Sequence, residues 1–277
     1  MAGLSKNLVV ILWNSLETAW RFWRWRLDLW RHPEQLMEST HTRMKQTLLF
    51  IRHGQTTWNV EHLLPGQLPG VPLTDIGRAQ AARLAEALHI LPITTIISSS
   101  LERARDTAAY IALARDLPVR LDDDLMDTNV GHWAGQKYDE LQKSDPVWKE
   151  YVRDPSTAPA GVETFPQVQQ RVLAAVERWR QQEATSSYLA FVTHADVVKL
   201  LLAHYMGLDT ARAGLLGIDN ASVSMVELEP EQRPHVVAIG WNPQPGWLKL
   251  PPPPAPVDAD PTAHAEEPQA TKAVNEA

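Results

Sequence analysis

The sequence predicts an α/β fold: a three-layer sandwich with a mostly parallel mixed sheet flanked by helices, plus an N-terminal amphipathic helix. Three observations predict it. From residue 47 onward, short apolar runs alternate with stretches of helical periodicity, the order in which a parallel sheet and its crossover helices are laid down. The runs at 47–51, 94–98 and 188–193 are built mainly of β-branched, aromatic and leucine residues, as buried strands are. Ahead of them, Trp13, Leu16, Trp20, Trp23, Leu27 and Trp30 recur at alternating steps of three and four, which draws one apolar stripe along a helix.

Taken in order, residues 1–45 form the helical extension. Phe22, Trp25 and Leu29 widen its stripe, and Glu17, Arg21, Arg24, Asp28 and Arg31 share its narrow polar face, with Glu17–Arg21 and Arg24–Asp28 spaced as i,i+4 pairs. No run reaches the ~18 apolar residues of a spanning helix, and no small-residue cleavage site follows. Such a helix is expected to pack on its own domain, on a second copy of the chain, or on a membrane interface, where Trp and Arg are favoured. The expected location is the cytoplasm, at the inner membrane face if lipid is the partner. The regularity of the pattern argues that the residues before Met44 are an appendage and not an upstream misreading of the start.

The strand at 47–51 leads to a helix over 75–89, capped by Thr74, with Ile76, Ala79, Leu84 and Leu88 inward. A second strand at 94–98 feeds a helix over 101–115. An extended piece follows at 117–121, then one or two short helices over 137–151, broken at Asp145-Pro146, and a loop at 154–161. A long helix over 165–183 carries Val168, Val172, Val176 and Trp179 on one side. After the strand at 188–193 comes a helix over 195–206, apolar nearly all round, and then two strands at 221–228 and 235–241 that read as a hairpin. The catalytic domain is bounded at 46–248. From residue 249 the chain is Pro-rich, then acidic and without periodicity, the composition of a disordered tail.

Composition narrows the function. With 277 residues and 44% hydrophobic content, a large core is affordable. A formal net charge of -7 argues against general nucleic-acid binding, yet a locally cationic pocket can still take an anionic small molecule. Cysteine is absent, which removes disulfides, thiolate catalysis and cysteine-ligated metals. No His/Asp/Glu spacing matches a metal site, and no Gly-rich strand-to-helix loop reads as a nucleotide cradle, so no cofactor is expected.

The chemistry concentrates at strand ends. Arg52-His53-Gly54 closes the first strand, where ligands bind in open α/β sheets; the glycine allows backbone and ligand to approach closely, and Thr56 and Asn59 add neutral donors. The stretch Phe50-Ile51-Arg52-His53-Gly54-Gln55-Thr56-Thr57-Trp58-Asn59 resembles the signature of the histidine phosphatase superfamily, also called phosphoglycerate mutase-like. Four more pieces match that family's pattern. Arg103, in Ser99-Ser100-Leu101-Glu102-Arg103, aligns with a second phosphate-binding arginine; two guanidinium groups can hold a phosphate with charge-assisted bonds. His194, in Phe191-Val192-Thr193-His194-Ala195-Asp196, aligns with the family's second histidine. Asp127, before Gly131-His132-Trp133-Ala134-Gly135, stands where the family usually has a glutamate proton donor; Asp122, Asp123 and Asp124 are its nearby rivals. Glu163, in Gly161-Val162-Glu163-Thr164, aligns with a pocket residue, beside Thr164 as a helix cap. His62, His89, His132, His204, His235 and His264 are read as structural or surface residues.

The resemblance implies a phosphomonoester hydrolase for small phosphorylated substrates. In it, neutral His53 attacks phosphorus, Arg52, Arg103 and His194 neutralise the phosphoryl oxygens, with Asn59 and Glu163 at the substrate, and protonated Asp127 serves the leaving alkoxide. The stretch between Gly135 and Gly161 is short, where mutases of the family typically carry a longer insert that excludes water, so hydrolysis is favoured over a phosphoglycerate mutase. An inactive phosphate-binding or scaffold protein is the reading from outside enzymology, with the aspartate at 127 as its hint; both histidines and both arginines argue against it.

Overall fold

The computed structural model describes residues 44–244. The amphipathic helix and the Pro-rich tail expected from the sequence lie outside them. The central strands are runs buried on both faces, and the two edge strands are half-exposed. β1 (Gln46–Arg52), β2 (Thr95–Ser98), β3 (Val119–Leu121) and β4 (Tyr188–Thr193) are joined through α1 (Thr57–Glu61), α2 (Asp75–Ala87), α3 (Glu102–Leu113), α4 (Tyr138–Ser144), α5 (Pro146–Arg153) and α6 (Phe165–Gln182). α7 (Ala195–Met206), β5 (Val223–Leu228) and β6 (His235–Trp241) complete the order. The strands form one six-stranded mixed sheet in the order β3-β2-β4-β1-β5-β6. β3, β2, β4 and β1 run parallel, and the β5–β6 hairpin is antiparallel.

Side chains alternate across the pleat. Leu48, Phe50, Leu189 and Phe191 pack with Val168, Val172 and Val176 of α6 and with Val197, Val198, Leu200 and Leu201 of α7. Their neighbours Leu49, Ile51, Ala190 and Val192 meet Leu84 of α2 and Ala104, Ala108 and Ile111 of α3 on the opposite face. Burial on both faces is why β1 and β4 read as unbroken apolar runs. No described helix is long and apolar enough to cross a membrane.

One expectation shifts. α2 is rotated from its expected face: Ile76 is 58% exposed and Ala79 also points outward, while Gly77, Ala81, Leu84 and Leu88 face inward. The cause is a backbone approach. A Cβ at Gly77 would lie 2.0 Å from the Gln55 carbonyl oxygen, and one at Gly54 would lie 2.6 Å from the Gly77 oxygen. Gly54 is therefore required by the seam between this loop and α2. The break at Asp145-Pro146 holds: Asp145 caps α5 through the Val147 and Trp148 amides, Pro146 opens the helix, and Asp145 also accepts from Trp133 Nε1 at 2.9 Å. Around that bond Val130, Trp133, Leu141, Trp148, Tyr151 and Val162 form a third apolar cluster, outside the sheet.

Candidate active site

Register assembles the site. Arg52 pairs with Thr193 across β1 and β4, and Ser98 with Val192 across β2 and β4. β1 and β4 thus end level and β2 ends one residue short of them, and the next residue of each is His53, His194 or Ser99. Their amides are locked: His53 N–H donates to Thr193 O at 2.9 Å, Ser99 N–H to Val192 O at 2.9 Å, and Ala221 N–H to His53 O at 3.0 Å. The two imidazoles lie 5.3 Å apart between centroids.

A carbonyl sets the His53 tautomer, and a hydroxyl faces His194. His53 Nδ1 lies 2.7 Å from Gly54 O. A carbonyl only accepts, so Nδ1 carries the proton and Nε2 keeps a free lone pair. His194 Nε2 lies 2.9 Å from Ser99 Oγ, which already accepts from the Leu101 amide. The serine hydroxyl can give its proton to Nε2, the arrangement that leaves the His194 hydrogen on Nδ1, 3.7 Å from Asp127 Oδ2. Both pKa values fall well below the usual imidazole range. For each, burial is the main cause and Arg103 the next, with Arg52 adding to both and the other histidine adding for His194.

Arg103 is fully buried; its Nη2 donates to Gly66 O at 2.8 Å and lies 3.3 Å from Asp127 Oδ2. Arg52 Nη1 donates to Ile218 O at 2.6 Å. Arg52 Nε, Arg103 Nε and Nη1, His194 Nδ1 and Thr128 Oγ1 have no partner within the protein. Unpartnered buried donors of this kind are costly unless a ligand accepts from them. Asn59 accepts from the Thr56 amide and from Asn220 Nδ2, so its own amide N–H groups are free for the cavity. Thr56 is a buried helix cap for α1 and not a cavity donor.

Asp127 lines the cavity, with Oδ1 accepting from the Thr128 amide at 3.0 Å. Burial raises its pKa to about 6, against the opposing pull of Arg103 and Arg52 and with help from Asp196. Its rivals face elsewhere: Asp122 and Asp124 pair with Arg178, and Asp122 also accepts from Trp179. Glu163 is not at the cavity. Its carboxylate takes Arg171 Nε and Nη2 at 3.0 and 2.8 Å and the Asn129 amide at 2.8 Å. Arg171 in turn donates to the carbonyls of Asp124, Met126 and Asp127. The acid at 163 therefore braces the loop that carries Asp127.

The cavity, about 260 Å³, opens between Arg52, His53, Asn59, Asp127 and Asp196 and a wall of Trp58, His62, Leu63, Leu64, Val130 and Tyr138. His62, which the sequence marks as a structural or surface residue, lines the cavity, as do Trp58, Thr128 and Tyr138, to which the sequence pattern assigns no role there. The isolated bridge Leu63↔Lys137 brings His62 and Tyr138 to one rim, a long-range pairing with no local signal. No cluster of three or more His, Asp or Glu suited to a metal occurs among the described residues.

Comparisons with known proteins agree in kind. The family model described as histidine phosphatase superfamily (branch 1) matches residues 48–242. The glucosyl-3-phosphoglycerate phosphatase of Mycobacterium tuberculosis is 32% identical over 187 residues, 63% of this chain and 82% of that protein. A Shigella boydii protein named "Probable phosphoglycerate mutase GpmB" is 33% identical over 194 residues, 69% of this chain and 87% of the relative. Among solved structures, a mycobacterial glucosyl-3-phosphoglycerate phosphatase in complex with VO3 superposes with a TM-score of 0.65 at 29% identity, covering 71% of this chain and 99% of the other. The α-ribazole phosphatase of Shigella flexneri does so at 0.64 and 26% identity, covering 71% and 96%.

Proposed function

The chain belongs to the histidine phosphatase superfamily, and on that premise we propose that it hydrolyses small phosphomonoesters through a phosphohistidine at His53. One observation carries the reading: the free Nε2 lone pair of His53 stands among unpartnered donors of Arg52, Arg103 and His194. Arg52, Arg103 and the Nδ1–H of His194 take the phosphoryl oxygens, with Thr128 and Asn59 beside them. His53 Nε2 forms a bond to phosphorus as the ester P–O bond breaks, and Asp127 gives its proton to the departing alkoxide. In the second half, water attacks phosphorus, its proton passes to the Asp127 carboxylate, and the N–P bond breaks to release phosphate. Neutral imidazole is the attacking form, so the depressed pKa of His53 suits the first step, and the raised pKa of Asp127 suits proton donation.

His53→Ala should abolish turnover of p-nitrophenyl phosphate and any acid-labile phosphoenzyme trapped by quenching with a radiolabelled ester. Activity above about one-hundredth of wild type would remove His53 as nucleophile. A mutase reading is favoured by the Shigella boydii relative's name; it predicts 2-phosphoglycerate from 3-phosphoglycerate, where hydrolysis predicts free phosphate.

A further inference from the structure

Beyond the phosphate cradle, the cavity's character is set by Trp58, Leu63, Leu64, Val130 and Tyr138. This wall is pre-formed. Leu64 N–H donates to Gln136 O at 2.9 Å, Gly135 N–H to Leu64 O at 2.7 Å, and Tyr138 N–H to His62 O at 2.9 Å, so the 62–64 and 135–138 segments are stitched together. The charges are lopsided. Among the described residues lining the cavity, the acid and base groups other than Arg52, His53 and Asp127 are Asp196 and His62. Asp196 has Lys199 at 3.3 Å, one turn along α7 and away from the lining. The two guanidinium groups of Arg52 and Arg103 match a phosphate dianion. A second anionic group on the substrate would face the Asp196 carboxylate, beside the protonated Asp127, with only an imidazole to answer it.

We propose that this subsite selects phosphate esters of uncharged alcohols bearing an apolar or ring-shaped body, and disfavours esters whose alcohol carries a carboxylate or a second phosphate. The inference rests on the phosphatase reading and specifies its substrate class. An apolar body leaves water for the Trp58, Leu63, Leu64 and Tyr138 surface, and a neutral one avoids the field of Asp196.

Two matched pairs of esters, assayed with the full chain by phosphate release, test it. Glycerol 3-phosphate and 3-phosphoglycerate differ only in a hydroxymethyl group against a carboxylate. The neutral ester should have the higher kcat/KM by at least about tenfold, and Asp196→Asn should narrow that ratio. Benzyl and methyl phosphate have alcohols of similar acidity and differ in apolar bulk. Benzyl should lead by at least about tenfold, and Tyr138→Ala should shrink the lead. A ratio below about threefold in either pair, with hydrolysis observed, overturns the subsite while leaving the phosphatase reading intact. Hydrolysis of none of the four, nor of p-nitrophenyl phosphate, overturns both.

Discussion

Asp127 holds its proton against competing forces. Burial favours the neutral acid, and Arg103 favours the carboxylate. With a pKa of about 6, the acid form fades as pH rises. For alkyl phosphates, kcat/KM should fall about tenfold per pH unit above that point; in Asp127→Asn this limb should vanish, and the loss should be far smaller for p-nitrophenyl phosphate, whose leaving group needs no proton. The same shift acts on stability, with its own sign. The folded pKa exceeds the unfolded value near 3.9, so between the two the native state binds more protons than the unfolded chain. Wild-type stability should fall relative to Asp127→Asn as pH rises from about 4 to 6, by up to about 3 kcal/mol, read from denaturant midpoints. The residue types at 52, 53, 103 and 194 were legible because each sits at a strand end or opens a helix, and that at 127 because it precedes Gly131-His132-Trp133-Ala134-Gly135. Their protonation was not, because it depends on partners distant in sequence: Ser99 for His194 and Arg103 for Asp127.

Between residue and fold stands α6, which does more than fill the core. Arg171 spends its N–H groups on Glu163 and on three carbonyls of the acid-bearing loop. It lies outside the cavity lining, so its effect on the reaction passes through Asp127. Arg171→Ala should slow alkyl phosphates by roughly 10–100-fold, since misplacing a proton donor by about 1 Å has that effect, while inhibition by vanadate changes less than about threefold. Equal losses on alkyl and p-nitrophenyl phosphates would show that the clamp supports the fold alone. Sequence pattern located α6 and its buried valines, because 3.6-residue periodicity is a local signal. It misdirected Glu163 to the substrate, since a carboxylate's partner eight residues along a helix entry is set by how the loop folds back. It also misjudged the face of α2, because a glycine that must touch backbone carries no apolar side chain to announce itself.

Across the whole chain, every group assigned to the reaction lies between Arg52 and Asp196, and the family match spans 48–242. At its entry the described chain is tied down by Lys45, which pairs with Glu227 and Glu229 at 3.0 Å. A chain cut to residues 44–244 should therefore keep kcat/KM for p-nitrophenyl phosphate within about threefold of full length, as expected where removed backbone contributes no group to the site. A loss above about tenfold would mean that a terminal segment reaches the cavity.

The level ends of β1 and β4, with β2 one residue short of them, make the sheet a ruler. Distances among His53, His194 and Ser99 are counted in strand spacings of roughly 4.8 Å and not in loop lengths. Loops can lengthen or shorten around such a centre and leave its spacing untouched. A slip of one residue between β1 and β4 would turn the imidazole of His53 to the other face of the pleat. Turnover therefore reports on strand register, and a misaligned sheet would be silent in the assay even if its core were packed.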